Sequence, residues 1–328
     1  ARVLPTCVFA DPMQRIFSFR KGVLPPWGEV ERCFRAIGTL KTPWRWKQVG
    51  EEAFGVWILE ARDRLRDGCG VDLRTAGPNV RWVKDTGDVS ARLRALSRTL
   101  KQRRCNESIL VIGDPHQRDS RARVARAARG LTMVEATQLK ELLRAAREIE
   151  EGCGYGRLAA VLDFARATMT GVGDAVNKAR IMALAAGTAR KPATVVEQCC
   201  VSVLAESDWL GASAELLRAL AADTQCRVYA HQLLHAMQDA LRQARMRPDR
   251  SLSRAAAEVR EWYRHAGRAM PRQAIGSTLL LKGLESDHAI VLDAERMDAH
   301  HLYVALSRGA KSATIFSPSP ILSPLRPA

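Results

Sequence analysis

The residues with the clearest chemical potential lie near the end of the chain. The stretch GSTLLLKGLESDH, Gly276 to His288, carries Ser277, Thr278, Lys282, Gly283 and Glu285. The stretch HLYVALSRGAKS, His301 to Ser312, carries Tyr303 and Arg308. An arginine stays protonated and offers a fork of donors suited to phosphate or carboxylate oxygens, whereas a lysine offers a compact point charge. A glycine lets the backbone approach a ligand closely. Two earlier groups are of similar kind: Gln14 follows the turn-forming pair Asp11-Pro12, and Arg45 stands between Trp44 and Trp46. Residues of these types can hold anionic oxygens, and their gathering near two loops marks the stretch as a candidate ligand site.

Such residues need elements to hold them. The apolar run from Ile275 to Leu281 is expected to be a strand, broken by Lys282-Gly283. His288 to Leu292 reads as a second short strand of the kind buried in a parallel sheet. Asp298 can cap a helix through Leu302, Val304, Ala305 and Leu306, and Ser312 to Phe316 returns as a strand. Upstream, strands are expected at Val3–Ala10, Val80–Val83, Ser108–Ile112 and Leu131–Val134. Helices are expected from Phe54 to Leu65, closed by Gly68, and from Ser90 to Leu100. A further helix after VIGDPHQR sets Val124 and Ala127/Ala128 beneath an arginine-rich face. Pro25 to Trp27 reads as a rigid connector. The alternation of strand and helix indicates an α/β fold with ligand loops at strand ends.

The motifs resemble those of the UvrD/Rep family of superfamily 1 DNA helicases. GSTLLLKGLESDH is similar to motif V and HLYVALSRGAKS to motif VI, in the family's order. ADPMQRIFSFRKG, from Ala10, resembles motif III, with Ala10 where the first glycine usually stands. The resemblance implies a RecA-like, P-loop NTPase-like parallel sheet domain with a large all-helical insertion, preceded by a remnant of a first RecA-like domain. It implies ATP-dependent 3′-to-5′ translocation on DNA, with ATP and Mg²⁺ as cofactors and single-stranded and duplex DNA as partners. On this resemblance Arg308 is the arginine finger, Gln14 the γ-phosphate sensor and Arg45 a second γ-phosphate contact. Glu285 is the ribose contact, with Gly283 and Tyr303 beside the nucleotide. Phe17 or Phe19 would stack on a DNA base, and Ser277, Thr278 and Lys282 would touch the DNA backbone. Leu280 or a neighbour stands where relatives often have histidine. The residues alone leave other readings open: Phe17 and Phe19 as core, Arg45 as a cation–π element, Arg308 as a partner of its own helix dipole.

Composition agrees with a polyanionic partner. The 328 residues carry 51 Lys+Arg against 35 Asp+Glu, a net charge of +16. Ten are lysine, which leaves 41 arginine. Such a balance favours nucleic acid. Arg118, Arg121 and Arg123 are candidate phosphate contacts, with a solvated helix face as the alternative. The eight cysteines show no CxxC and no zinc spacing, so they read as reduced thiols of a cytoplasmic protein. No metal site is expected. His231 and His235 stand at i, i+4 but lack the glutamate of HExxH, and His116 reads as structural. No run is long enough to span a membrane.

Four segments are expected: the first-domain remnant over 1–40, the second RecA-like domain over 41–137 and 271–328, and between them a helical insertion over 138–270 without strands. Helix breaks are expected near Gly152–Gly156, Gly171–Gly173, Gly187–Pro192, Ser207–Gly211 and Pro248. The sequence contains no GxxxxGK[ST] and no DExx pair before motif III, so nearly all of a first RecA-like domain is missing. This chain alone is therefore expected not to hydrolyse ATP. The alternatives to a piece of a helicase are a non-catalytic DNA-binding half, or one subunit of a split enzyme whose partner chain brings the phosphate loop.

Overall fold

The computed structural model describes residues 7–16, 25–34, 37–102, 106–134, 139–247, 249–265 and 270–325. The chain forms two compact units: Ala1–Ala128 with Arg272–Ala328, and Arg129–Pro271.

The first unit is α/β. Five of its strands form a parallel sheet: β1 (Val80–Lys84), β2 (Ile109–Ile112), β3 (Gln273–Gly276), β4 (Ser286–Val291) and β5 (Gly309–Ser317), beside a short antiparallel pair, Val71–Asp72 with Ile321–Leu322. They lie side by side in the order β1-β5-β4-β2-β3, every neighbouring pair parallel. All four residues of β2 are buried, as are all but Asp287 in β4. That is why β2 and the Ala289–Val291 part of β4 read as apolar runs: a parallel strand covered on both faces has no polar side.

Helix Glu52–Arg66 buries Phe54, Trp57, Ile58, Ala61 and Leu65. It packs on the short helix Trp44–Gln48 through Trp46, whose ring meets Phe54 edge-on at 6.4 Å. Gly55 makes that approach possible, because a Cβ there would lie 2.6 Å from Pro43 Cβ and 2.8 Å from Trp46 Cβ. Trp46 Nε1 donates to Gly309 O at 3.0 Å, tying the pair to the start of β5. Helix Val89–Lys101 is capped by Asp88, which accepts from Ser90 N at 2.8 Å and Ala91 N at 3.2 Å.

A polar network closes the amino ends of β2, β4 and β5. His288 Nδ1 lies 2.9 Å from Ser312 Oγ, and its Nε2 lies 3.0 Å from Glu107 Oε2. Lys311 Nζ bridges Glu107 at 3.2 Å and Asp287 at 2.8 Å. Asp287 Oδ2 accepts from Ser108 N at 2.8 Å and from Ser108 Oγ at 2.9 Å. Burial alone would raise the Asp287 pKa. The Lys311 and Ser108 hydrogen bonds, with the Lys311 charge, outweigh it and hold it down to about 2.

The second unit is mainly helical, with helices at Lys140–Glu151, Gly154–Thr168, Val172–Ala175, Lys178–Ala185, Val195–Ala205, Trp209–Ala222, His231–Met246 and Leu252–His265. Thr194 and Glu197 form a reciprocal capping box. The Arg157 guanidinium is buried, lies 4.2 Å from the Trp209 ring centroid and pairs with Glu206 at 3.2 Å.

Several expectations need correction. The strand expected through Leu281 ends at Gly276, because the Ser277 hydroxyl accepts from Leu280 N at 3.4 Å and starts a helical turn, Thr278–Leu281. Leucines serve either conformation, and the cap decides. The segment expected to lack strands holds one antiparallel pair, Met169–Thr170 with Arg227–Val228. Cys7–Ala10 is not a strand, and residues 1–6 lie outside the described residues. Trp27 opens a helix, Trp27–Cys33, rather than ending a connector. Ala127 is exposed, and it is Arg121 that is buried, donating to Asp114 O. A phosphate role for Arg121 does not fit that position.

Candidate functional site

The residues singled out by type and spacing come together within the first unit. They lie around the short helix Thr278–Leu281, the loop after it and the helix Ala299–Leu306. Gly283 adopts φ +80°, and a Cβ built on it meets nothing within 4 Å. The glycine is therefore required by backbone conformation, not by crowding, and the loop opens outward. Asp298 caps the second helix, accepting from His301 N at 2.8 Å.

Glu285 faces Arg45, with Nε 3.1 Å from Oε1. Arg45 also donates to Ser307 O and stacks over Trp46 at 4.5 Å. The phosphate and cation–π readings of Arg45 thus describe one geometry: the ring supports the guanidinium while leaving its side chain 24% exposed. Lys282 Nζ donates to Gln14 O at 2.8 Å. This bond joins the loop before β4 to the turn Pro12–Gln14, far away in sequence. Gln14 Nε2 donates to Asp11 Oδ2 at 3.3 Å.

Arg308 is 3% exposed. Its Nε donates to Val304 O at 2.8 Å, Nη1 to Leu284 O at 3.0 Å and Nη2 to Ser307 Oγ at 2.9 Å. It closes its own helix and clamps the KGLE loop. A finger role requires at least one of these oxygens to be exchanged for a phosphate oxygen; Arg45, with its side chain 24% exposed, is the more accessible guanidinium. Tyr303 is likewise buried and hydrogen-bonds to Asp11. It supports the Gln14 turn rather than presenting a surface to a nucleotide. Ser277 is buried with its hydroxyl committed to the helix cap. The Thr278 hydroxyl, also buried, finds no hydrogen-bond partner. Phe17 and Phe19 lie outside the described residues.

The electrostatics are uneven. Arg45, Lys282 and Arg308 are set against Asp11 and Glu285. Burial, then the nearby Arg45 charge, pushes the Arg308 pKa down to about 10, with Glu285 and Tyr303 opposing. Burial and Arg308 also lower the Lys282 pKa, with Asp11 opposing. Burial and the Asp11 carboxylate push Tyr303 up to about 12. Cations that depress one another in a partly desolvated site gain from an arriving anion. Asp11 was missed as a site residue. Its position just before Pro12 is a capping signal, which it fulfils by accepting from Met13 N at 3.0 Å.

The second unit has an open groove of about 570 Å³ beside helices Lys140–Glu151 and Gly154–Thr168. Of its acidic residues, Glu148 pairs with Arg144 at 3.3 Å and Asp163 with Arg166 at 2.7 Å. No comparable convergence of cations occurs among its described lining residues. A scan against protein-family models finds no match for this chain, and a search of curated proteins finds none either.

Proposed function

We propose that this chain is the C-terminal part of a UvrD/Rep-like superfamily 1 DNA helicase. On this reading it binds single-stranded DNA and contributes one side of an ATP site. The observation that carries the reading is a convergence: Lys282 on Gln14 O at 2.8 Å, Arg45 on Glu285 at 3.1 Å, and Arg308 on the KGLE backbone at 3.0 Å. Four segments, those of Gln14, Arg45, the KGLE loop and Arg308, thereby meet in one cationic site. The net charge of +16 supports a polyanionic partner.

In this reading Arg45 and Lys282 receive anionic oxygens, and Glu285 turns from Arg45 to a ribose hydroxyl. Arg308 stabilises charge on the γ-phosphate once its Leu284 or Ser307 bond is released. Such a finger is typically worth on the order of 10³–10⁵ in rate. ATP supplies the phosphoryl group and the driving energy. Mg²⁺ prefers carboxylate and water oxygens, but Asp11 is engaged by Gln14 and Tyr303, and Glu285 by Arg45. The carboxylates of this site do not fit the ion, and no step is assigned to it here. The buried, internally bonded Arg308 favours one second reading: a non-catalytic DNA-binding half, or a subunit that needs a partner chain carrying the phosphate loop.

The test measures binding of a labelled single-stranded oligonucleotide by anisotropy across a salt series, and ATPase with and without DNA. The expected result is salt-sensitive binding with no ATPase from this chain alone, and ATPase dependent on Arg308 once a domain bearing the phosphate loop is joined. Absence of DNA binding at low salt overturns the reading.

A further inference from the structure

Helix Val89–Lys101 sorts its cations onto two sides. Arg92 turns inward, where Nη1 meets Asp293 Oδ1 at 2.6 Å and Nη2 pairs with Asp85. Arg94, Arg98 and Lys101 turn outward and are exposed. At about 3.6 residues per turn they fall within roughly 60° of arc, spread over roughly 10 Å of helix. Among the described residues none of the three has an ion-pair partner. Arg81, exposed on the edge strand β1, joins the same patch. Its Nη1 donates to Gln102 Oε1, one residue past the helix, at 3.0 Å, and no carboxylate among the described residues pairs with it.

The rest of the surface is built differently. Arg66, Arg144, Arg166, Arg218, Arg242 and Arg264 are each at least half exposed, and each pairs with a carboxylate three or four residues away on its own helix. Helix Val89–Lys101 contains no carboxylate and no aromatic residue. The helix dipole favours cations in a last turn, which accounts for Arg98 and Lys101. It does not account for Arg94 or Arg81.

Like charges held together without counter-charges gain from a polyanion. Two features choose among polyanions. The exposed positions of the patch, Ser90, Arg94, Arg98, Lys101, Gln102 and Arg81, are all polar, whereas an interface with a protein has an apolar core with aromatic anchors. A single strand needs aromatic rings on which its bases stack, and the helix has none. A stripe of cations alone suits the regular phosphates of a duplex, which are held without reading the bases.

We propose that Arg94, Arg98 and Lys101, with Arg81 beside them, form a docking surface for the phosphate backbone of duplex nucleic acid. Arg92 holds the helix in place by its bonds to Asp85 and Asp293, just past the carboxyl ends of β1 and β4. The inference stands on this helix and not on the nucleotide reading of the KGLE loop.

The experiment titrates the full 328-residue chain into a labelled, blunt-ended duplex DNA, read by anisotropy across a salt series. A probe without single-stranded ends keeps the measurement apart from single-strand binding. The triple change of Arg94→Ala, Arg98→Ala and Lys101→Ala suits a helix. It should weaken duplex binding at least tenfold and lower the salt slope by about 2–3, while circular dichroism reports an unchanged fold. Arg94→Lys with Arg98→Lys keeps the charge and should stay within about twofold. A second triple change, Arg144→Ala, Arg218→Ala and Arg242→Ala, removes the same charge from paired positions and should leave affinity and slope nearly unchanged. Absence of duplex binding at low salt overturns the proposal and leaves the stripe to an acidic protein. Binding that survives the first triple change overturns it too, as does an equal loss from the second, which would make net charge the whole cause.

Discussion

Two polar clusters beside the parallel sheet treat charge in opposite ways. At the amino ends of β2, β4 and β5, Lys311 is shared by Glu107 and Asp287, and His288 is held between Glu107 and Ser312. Each charge there has an opposite within 3.2 Å. In the cluster around the KGLE loop, three cations gather around Glu285 and Asp11, two of them with lowered pKa values, and the nearby Thr278 hydroxyl finds no partner among the described residues. The first cluster spends its polar groups on itself. The second retains an electrostatic deficit that an anion would relieve.

The largest expected effect is in the self-satisfied cluster. His288→Leu removes one partner each of Glu107 and Ser312 and should lower stability by about 2–4 kcal/mol, measured by urea denaturation, with oligonucleotide affinity unchanged. A loss under about 1 kcal/mol would mean that the network is replaceable packing. Next, Asp287→Asn should cost about 1–2 kcal/mol at pH 7 after allowance for solvent screening. Because the folded pKa is depressed, that contribution is full above the unfolded value near 4. It fades as pH falls towards 2. Unfolding curves of both proteins should therefore converge in acid, and a constant gap would rule out ionisation as its source. In the KGLE cluster, Lys282→Ala should weaken oligonucleotide binding roughly three- to tenfold and lower the salt slope by about 1, with little change in stability. A variant that loses stability and keeps affinity would reverse the comparison. Smallest is Thr278→Val, which removes an unpartnered hydroxyl and should be neutral or stabilising by up to about 1 kcal/mol. A clear destabilisation would reveal a partner for that hydroxyl.

Legibility followed the range of the interaction. β2 and the His288–Val291 part of β4 were readable because burial on both faces writes an apolar run into a few adjacent residues. The Asp298 and Asp11 caps are local signals too, although only the first was used. Ser277 shows the limit: its hydroxyl redirects TLLL from strand to helix, yet the leucines permit both. The site partners were beyond reach. Arg45 and Glu285, Lys282 and Gln14, and His288 and Glu107 are joined by strand order and register, which no spacing within either segment encodes. Arg308 was found by its motif, but its burial was not, since a guanidinium clamping carbonyls has the same letter as one facing solvent.

The strand order has a consequence for synthesis. β2 lies between β3 and β4, and both come from the segment that follows the helical unit. As the polypeptide leaves the ribosome, β2 emerges with neither neighbour available. Its apolar faces and ladder groups wait until the whole of Arg129–Pro271 has been made. The helices of that second unit are close in sequence and can pack early, whereas the sheet, with its distant pairings, must finish late. A nascent chain arrested before Gln273 would hold β1 and β2 without any of their sheet neighbours, and β2 as an unpaired apolar strand is the form most open to aggregation.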